Sequence, residues 1–318
     1  MNSFLKFFDV RQSPVVKLFG WMFKSRILRI ALLLFVAVFL FLGLWAFWYE
    51  PDSLTVKNYQ LKIAGWNAAH NNFKIVAISD LHGGGRFITE AKIRRVVELA
   101  NAQEADLIVF LGDYVSQTWL DKSKLNMPPE MIADNLRGLK ARHGVYGVMG
   151  NHDAWFSDAH IRRELERAGI RILENEAVRI EANGQPLRVI GLPDVLKAHD
   201  WIKYSVDARA ALEKIPNEGK VIALTHSPDT FPLTAATEML SISPDYVMML
   251  CGHTHGGQVR LPFVGTPVVP TNYGQKYVRG EIIEYGIHLF ITPGIGTSIY
   301  PVRFGVPPEI SVLTVSSE

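Results

Sequence analysis

The sequence predicts an α/β protein: two packed mixed β-sheets flanked by helices, preceded by one membrane-spanning helix. Three observations predict it. A charge-free apolar run lies near the N-terminus, short β-branched runs alternate with helical patterns after it, and acidic, amide and imidazole residues fall at the ends of those runs. With 318 residues, 48% hydrophobic and 20% charged, the chain can bury a large core and is not a disordered polymer. A formal net charge of +2 gives no global field suited to nucleic acid, and none is expected as a partner. The single cysteine, Cys251, excludes an internal disulfide.

Residues 1–29 carry Lys6, Arg11, Lys17, Lys24, Arg26 and Arg29 against Asp9 alone. Residues 30–49 (IALLLFVAVFLFLGLWAFWY) contain no charge and no proline. At about 1.5 Å per residue this run spans roughly 30 Å, the thickness of a bilayer core. Trp45, Trp48 and Tyr49 gather at its far end, where amphipathic rings favour the lipid–water interface, and Glu50-Pro51-Asp52 stops it. The run is longer than a secretory-signal core, and no small-x-small cleavage site precedes Glu50, so an uncleaved anchor is expected. The basic flank puts the N-terminus in the cytoplasm and residues 51–318 outside, in a single-pass protein of the cell membrane. The stretch Phe4 to Phe23 suits either a segment lying on the anionic inner leaflet or a loosely ordered basic tail.

Residues 50–73 read as a connector and approach strand, and 74–318 as a single domain. Its strand-like runs are KIVAISD (74–80), LIVFLGD (107–113), GVYGVMGN (144–151), LRVIGL (187–192), KVIALTH (220–226), YVMMLCG (246–252), IHLFITPG (287–294) and EISVLTV (309–315). Continuous apolar runs of this length read as strands buried on both faces. Helical patterns fall between them, at 89–102 with Thr89 as its cap, 129–141, 158–168, 206–214 and 229–239. Eight strands are many for one open sheet here, so two sheets are expected, with the residues after Gly256 closing the second.

The chemistry sits where strands end. The runs deliver Asp80 and His82, Asp113, Asn151-His152-Asp153, His226, and His253 with His255. In α/β sheets ligands bind outside the carboxyl ends of strands, so five ends converge on one pocket. Any one fragment is weak, since Asp-x-His arises by chance, but five in workable order are not. Carboxylates, imidazoles and one amide without thiolate suit Mn, Fe or Zn. Seven donors exceed the needs of one open shell, whereas two ions about 3.5–4 Å apart would use them all.

Asp80-x-His82, Gly112-Asp113, Gly150-Asn151-His152-Asp153, His226 and Gly252-His253-Thr254-His255 are similar to the five blocks of the calcineurin-like metallophosphoesterase superfamily. GHTHGGQVRLP (252–262) and PGIGTSIYPVRFGVPPEI (293–310) resemble its bacterial membrane-associated phosphodiesterase branch. The resemblance implies a four-layer α/β/β/α sandwich and a metal-dependent phosphoric ester hydrolase. It implies that Asp80, His82 and His255 hold one divalent ion and Asn151, His226 and His253 a second, with Asp113 bridging. A hydroxide between the ions would attack phosphorus while unligated His152 protonates the departing oxygen. Asp153 is a candidate orienter of His152. One departure is evident: where protein Ser/Thr phosphatases continue with Asp-Arg-Gly, this chain has Ser116-Gln117-Thr118. That argues against a protein phosphatase and leaves the partner of His152 open.

Arg86, after three glycines, is a candidate for a phosphate oxygen, and Arg260, Tyr273, Tyr277 and Arg303 are candidates in the C-terminal loops. His70, His143, His160, His199 and His288 match no block and read as structural or surface residues. No nucleophile elbow, His-Glu-x-x-His helix or Walker loop competes. The expected substrate is a phosphate ester, with lipid and membrane-bound esters favoured by the anchor, and no obligate protein partner is evident. Alternatives are hydrolysis of the UDP-2,3-diacylglucosamine pyrophosphate in lipid A synthesis, whose cytoplasmic substrate conflicts with the outward orientation, and a catalytically silent metal-bearing interaction module at the membrane.

Overall fold

The computed structural model describes residues 25–118, 120–194, 201–232 and 245–318. The chain divides into two compact units, Met1–Phe47 and Trp48–Glu318. The expected amphipathic stretch Phe4 to Phe23 and most of the helical pattern at 229–239 lie outside the described residues, as does His199.

Within the first unit, α1 (Arg26–Leu44) starts four residues before the charge-free run because the Ser25 hydroxyl accepts from Leu28 N–H and caps it. None of its residues is buried in the protein, and the helix is long and apolar enough to cross a membrane.

In the second unit, β1 (Thr55–Ile63), β2 (Phe73–Ile78), β3 (Leu107–Leu111), β4 (Val145–Val148) and β5 (Arg171–Ile172) come first. Next are β6 (Glu176–Ala182), β7 (Gln185–Gly191), β8 (Lys220–Leu224), β9 (Tyr246–Cys251), β10 (Gly280–Glu284), β11 (Ile287–Ile291) and β12 (Glu309–Ser317). They build two mixed six-stranded sheets, ordered β1-β12-β2-β3-β4-β5 and β10-β11-β9-β8-β7-β6. Four helices pack on them: α2 (Glu90–Asn101), α3 (Pro129–Leu136), α4 (Asp158–Arg167) and α5 (Trp201–Glu213).

Three apolar cores define four layers. Val76, Ile78, Ile108 and Phe110 pack with Ile93, Val96, Ile132 and Leu165 of α2, α3 and α4. Their alternates Ile75, Ala77, Leu107 and Val109 face Val189, Ile222, Leu224 and Leu250 of the other sheet. Val221, Ala223 and Met249 then face Ala208 and Ala211 of α5. Both faces of each central strand are covered, which is why these strands read as unbroken apolar runs.

One expectation is corrected. The last strand does not close the second sheet; β12 inserts between β1, in parallel, and β2, antiparallel. Only β10 and β11 complete the second sheet, pairing as an antiparallel hairpin with β11 parallel to β9. β2, β3 and β4 are mutually parallel, as are β8 and β9. Their carboxyl ends carry all five blocks.

Candidate metal centre

Each block is a tight turn off a strand, and five of the seven expected ligands hold left-handed backbone conformations. The φ angles are +53° at Asp80, +49° at His82, +57° at Asp113, +69° at His253 and +52° at His255. Such angles are uncommon for residues other than glycine and cost on the order of 1 kcal/mol each, so strain gathers where donors are aimed inward. Glycines permit the convergence. A Cβ on Gly150 would lie 2.2 Å from Asp113 Oδ1, and one on Gly252 would lie 1.9 Å from Ser79 Oγ and 2.6 Å from Asp80 Oδ2.

The donors form two neighbouring groups. In one, His82 Nε2 is 3.1 Å from His255 Nε2, and His255 Nε2 is 3.4 Å from Asp80 Oδ1. In the other, His226 Nε2 faces Asn151 Oδ1 and His253 Nδ1, each at 3.1 Å. Asp113 Oδ2 lies between them, 3.7 Å from His82 Nε2 and 3.3 Å from His226 Nε2. Backbone carbonyls fix the imidazoles: His82 Nδ1 donates to Val115 O and His226 Nδ1 to Leu111 O, leaving each Nε2 as the inward lone pair.

This donor set fits divalent metal. Two imidazole nitrogens at 3.1 Å can share one proton at most, three acceptors crowd His226 Nε2, and buried Asp80 Oδ1 has no hydrogen-bond partner among the described residues. Burial, then the neighbouring His152, pushes the His82 imidazole down to about 3. Burial and His226 push His253 down to about 3, and burial with His82 holds His255 well below the ordinary range. All three are therefore neutral, the form that ligates. Burial alone would raise Asp113, but His226, His152 and His82 outweigh it and keep the carboxyl ionised, well below its usual range. His226 is the exception: burial lowers it, yet Asp113 and Asp80 hold it well above normal, marking where the field calls for a cation.

His152 is brought to the same place without joining either group. Its backbone N–H donates to Asp113 Oδ1 at 2.8 Å, and its ring lies 4.7 Å from that of His82. The residue that orients it is Gln117. His152 Nδ1 donates to Gln117 Oε1 at 2.6 Å, and Gln117 Nε2 donates to His152 O at 2.7 Å. The expectation for Asp153 fails, because its carboxylate accepts from the backbone N–H groups of Asp113, Tyr114, Val115 and Gly150 and has no capacity left for a ring. Sequence reading missed Gln117, although its only available signal, the lost acid at Ser116, lies one position away. It also missed Asp229, which holds Asn272 N and Nδ2 at 3.0 and 2.8 Å and so fixes the loop whose Pro270 carbonyl bonds His253.

The substrate candidates separate. Arg303 is corrected: it is fully buried, and its guanidinium donates to the carbonyls of Pro293, Gly294, Gly296 and Val306, so it rivets the loop over Asp80 instead of meeting solvent. Tyr277 is also buried, with its hydroxyl on Glu284 at 3.2 Å. Arg86 stacks on Trp48 and Phe87, at 4.6 and 5.4 Å from the ring centres. Arg260 and Tyr273 are exposed on the loops after His255. His70 bonds the carbonyls of Ala182 and Gln185, and His288 bonds Glu281.

The sequence profile of the calcineurin-like phosphoesterase family matches residues 73–257, which contain every one of these ligands. The chain belongs to this family. It is a metal-dependent phosphoester hydrolase. Phosphodiesterase YaeI of Escherichia coli is 32% identical over 83% of this chain and 89% of its own length. The Bacillus subtilis metallophosphoesterase YkuE is 28% identical over 86% of this chain and 89% of its own. A zebrafish (Danio rerio) "transmembrane protein with metallophosphoesterase domain" is 28% identical over 76% of this chain, which spans 52% of that protein.

Proposed function

We propose that the chain is a membrane-anchored phosphodiesterase that uses two divalent ions. Asp80, His82 and His255 hold one, Asn151, His226 and His253 the other, and Asp113 is shared. The position of Asp113 carries this reading: one carboxylate oxygen lies within 3.7 and 3.3 Å of imidazoles from both groups. A single ion would leave part of the set idle. Bound there, the ions supply charge neutralisation at the phosphoryl oxygens and acidify a water.

The chain's own residues do the rest. Gln117 holds His152 through Nδ1–H, which leaves Nε2 to act at the departing oxygen: the imidazolium form donates its Nε2 proton there and returns to the neutral ring. Left-handed turns hold the donors before substrate arrives, so little reorganisation accompanies turnover. A diester is favoured over a monoester by charge: Arg303, buried in the loop over Asp80, spends its donors on loop carbonyls and offers no extra cation for a dianion. The E. coli relative YaeI, a phosphodiesterase, supports the same preference. The apolar α1 and the transmembrane relative support anchoring, and the basic flank favours a catalytic unit outside the cytoplasm.

The test is hydrolysis of bis(p-nitrophenyl) phosphate and of p-nitrophenyl phosphate by the full chain, metal-stripped and then supplied with Mn²⁺ or Zn²⁺. Metal-dependent cleavage favouring the diester, abolished in Asp113→Ala, is expected. A folded, metal-loaded chain that cleaves neither would return the protein to a silent interaction module.

A further inference from the structure

The loops around the metal centre present large apolar side chains to water. Trp155 is exposed, with its ring 4.6 Å from that of His152. Ile299 and Tyr300 are exposed on the loop whose Gly296 N–H donates to Asp80 O at 2.7 Å. Gln258, three residues after His255, clamps that loop through Ser298 N and O. Phe263 and Val264 cap a hairpin closed by the Leu261–Gly265 bridge, which hangs from Arg260 N–H on Phe304 O.

Ordinary loop chemistry does not account for these residues. Ile299 is β-branched, 73% exposed and at φ +63°; Phe263 is fully exposed at φ +65°. Each combines a backbone conformation suited to glycine or asparagine with a side chain that water disfavours. Exposed apolar groups clustered at a site mark an interaction surface, not a scattered remainder. Arg260 stands exposed at the base of the 261–265 hairpin and Lys122 is exposed near enough to His152 for its charge to act on that ring, and neither forms an ion pair among the described residues.

The chain itself points to the occupant. The charge-free run ends at Tyr49, and Glu50 is buried with its carboxylate accepting Val306 N–H at 2.6 Å. Val306 O in turn holds Arg303, in the same loop as Ile299. Arg86, four residues after His82, stacks on Trp48. The catalytic unit thus receives the chain on the loops that frame its site. Trp48 and Tyr49, the aromatic end of the run, belong to the catalytic unit itself, and such rings favour the lipid–water interface.

We propose that Trp155, Phe263, Val264, Ile299 and Tyr300 form a lipid-facing rim that rests the mouth of the site on the bilayer, so that its substrates are phosphodiesters carried by lipids. This rests on the phosphodiesterase reading above. Apolar tips enter the acyl boundary, while Arg260 and Lys122 meet anionic headgroups. A lipid diester then reaches the metal centre without leaving the membrane. Water adds to phosphorus, the ester oxygen leaves with a proton, and the lipid keeps the phosphate.

The experiment uses the full chain in nanodiscs of phosphatidylcholine and phosphatidylglycerol. Position 263, 299 or 285 is changed to cysteine and labelled with an environment-sensitive fluorophore; Cys251 is fully buried and stays unlabelled. Tyr285 is the control, an exposed aromatic in the turn before β11, at the far end of that strand from the site. Brominated lipids should quench the label at 263 and 299 at least threefold more than at 285. Equal quenching at all three overturns the proposal, including the case in which another protein covers the rim. In a second arm, Phe263→Ser/Ile299→Ser should cleave bis(p-nitrophenyl) phosphate within twofold of wild type. It should cleave dioleoylphosphatidyl-p-nitrophenol in the disc at least tenfold more slowly. Equal slowing on both substrates removes the rim from lipid capture. Failure of the wild type on both would sink the phosphodiesterase reading, while the quenching arm still decides the rim.

Discussion

The two sheets meet at one site but bring different chemistry to it. From the first come both carboxylates of the candidate metal groups, Asp80 and Asp113, together with His82, Asn151 and His152. The second offers imidazoles alone, His226, His253 and His255. Charge is therefore concentrated on one side, and the other side supplies lone pairs kept neutral by burial, His226 excepted. Under the proposed two-ion reading this predicts a division of labour: the first sheet sets how many cations the site holds, and the second sets how firmly each is seated.

Breaking the charged side should cost most. Asp113→Ala is expected to lower kcat/KM on bis(p-nitrophenyl) phosphate by on the order of 10³–10⁴-fold and to cut bound metal from two ions to fewer than one per chain by elemental analysis. His152→Ala, also on the first side, should keep both ions yet lose roughly 10²–10³ in kcat, with larger losses for alkyl than for p-nitrophenyl leaving groups. Loss of metal in that variant would make His152 a ligand. On the imidazole side, His253→Ala should remove one ion and cost about 10²-fold, and millimolar metal should restore much of it. If it matched Asp113→Ala in every respect, the division between sheets would collapse. Gln117→Ala should cost about tenfold, and almost nothing when His152 is already alanine, since it acts through that ring.

The smallest effect concerns pH. His82 and His253 sit near 3 in the metal-free fold, against about 6.5 in an unfolded chain. The unfolded chain thus binds more protons between those values. Stability from these groups is complete above about pH 6.5 and is lost as pH falls toward 3. Asp80 and Asp153, raised to about 6 and about 7, and the raised His226 act with the opposite sign in the same window, so the readout is the rings themselves. In metal-stripped protein the NMR signals of His82 and His253 should stay those of neutral rings down to pH 5, and midpoints near 6.5 would mean that burial does not hold them neutral.

Much of this was legible in the sequence, for identifiable reasons. Strands buried on both faces, such as LIVFL of β3, announce themselves by unbroken apolar character, and the blocks sit where those runs stop. Strands at sheet edges did not. β6 (EAVRIEA) and β10 (GEIIE) alternate with charged residues and resemble loops or short helices. The placement of β12 depends on pairing with β1, a long-range choice that no local pattern encodes. Asp153 and Arg303 misled because residue type suggested active chemistry, whereas each serves backbone groups that folding would otherwise leave unsatisfied. Gln117 was hidden because an amide carries no charge and belongs to none of the blocks.

The insertion of β12 between β1 and β2 has a consequence for the order of biosynthesis. Thr55, at the start of β1, is paired through Pro308 with a segment 253 residues further on. At about 5–20 residues per second, the ribosome needs roughly ten to fifty seconds to deliver that partner. Until then β1 and β2 wait with open hydrogen-bonding edges, and the first sheet cannot close before β12 has left the ribosome. Nascent chains are thus most exposed to chaperones and proteases just when the metal-binding turns are already made. Deleting β12 (Glu309–Ser317) should therefore fail as an expression problem before it registers as a catalytic one.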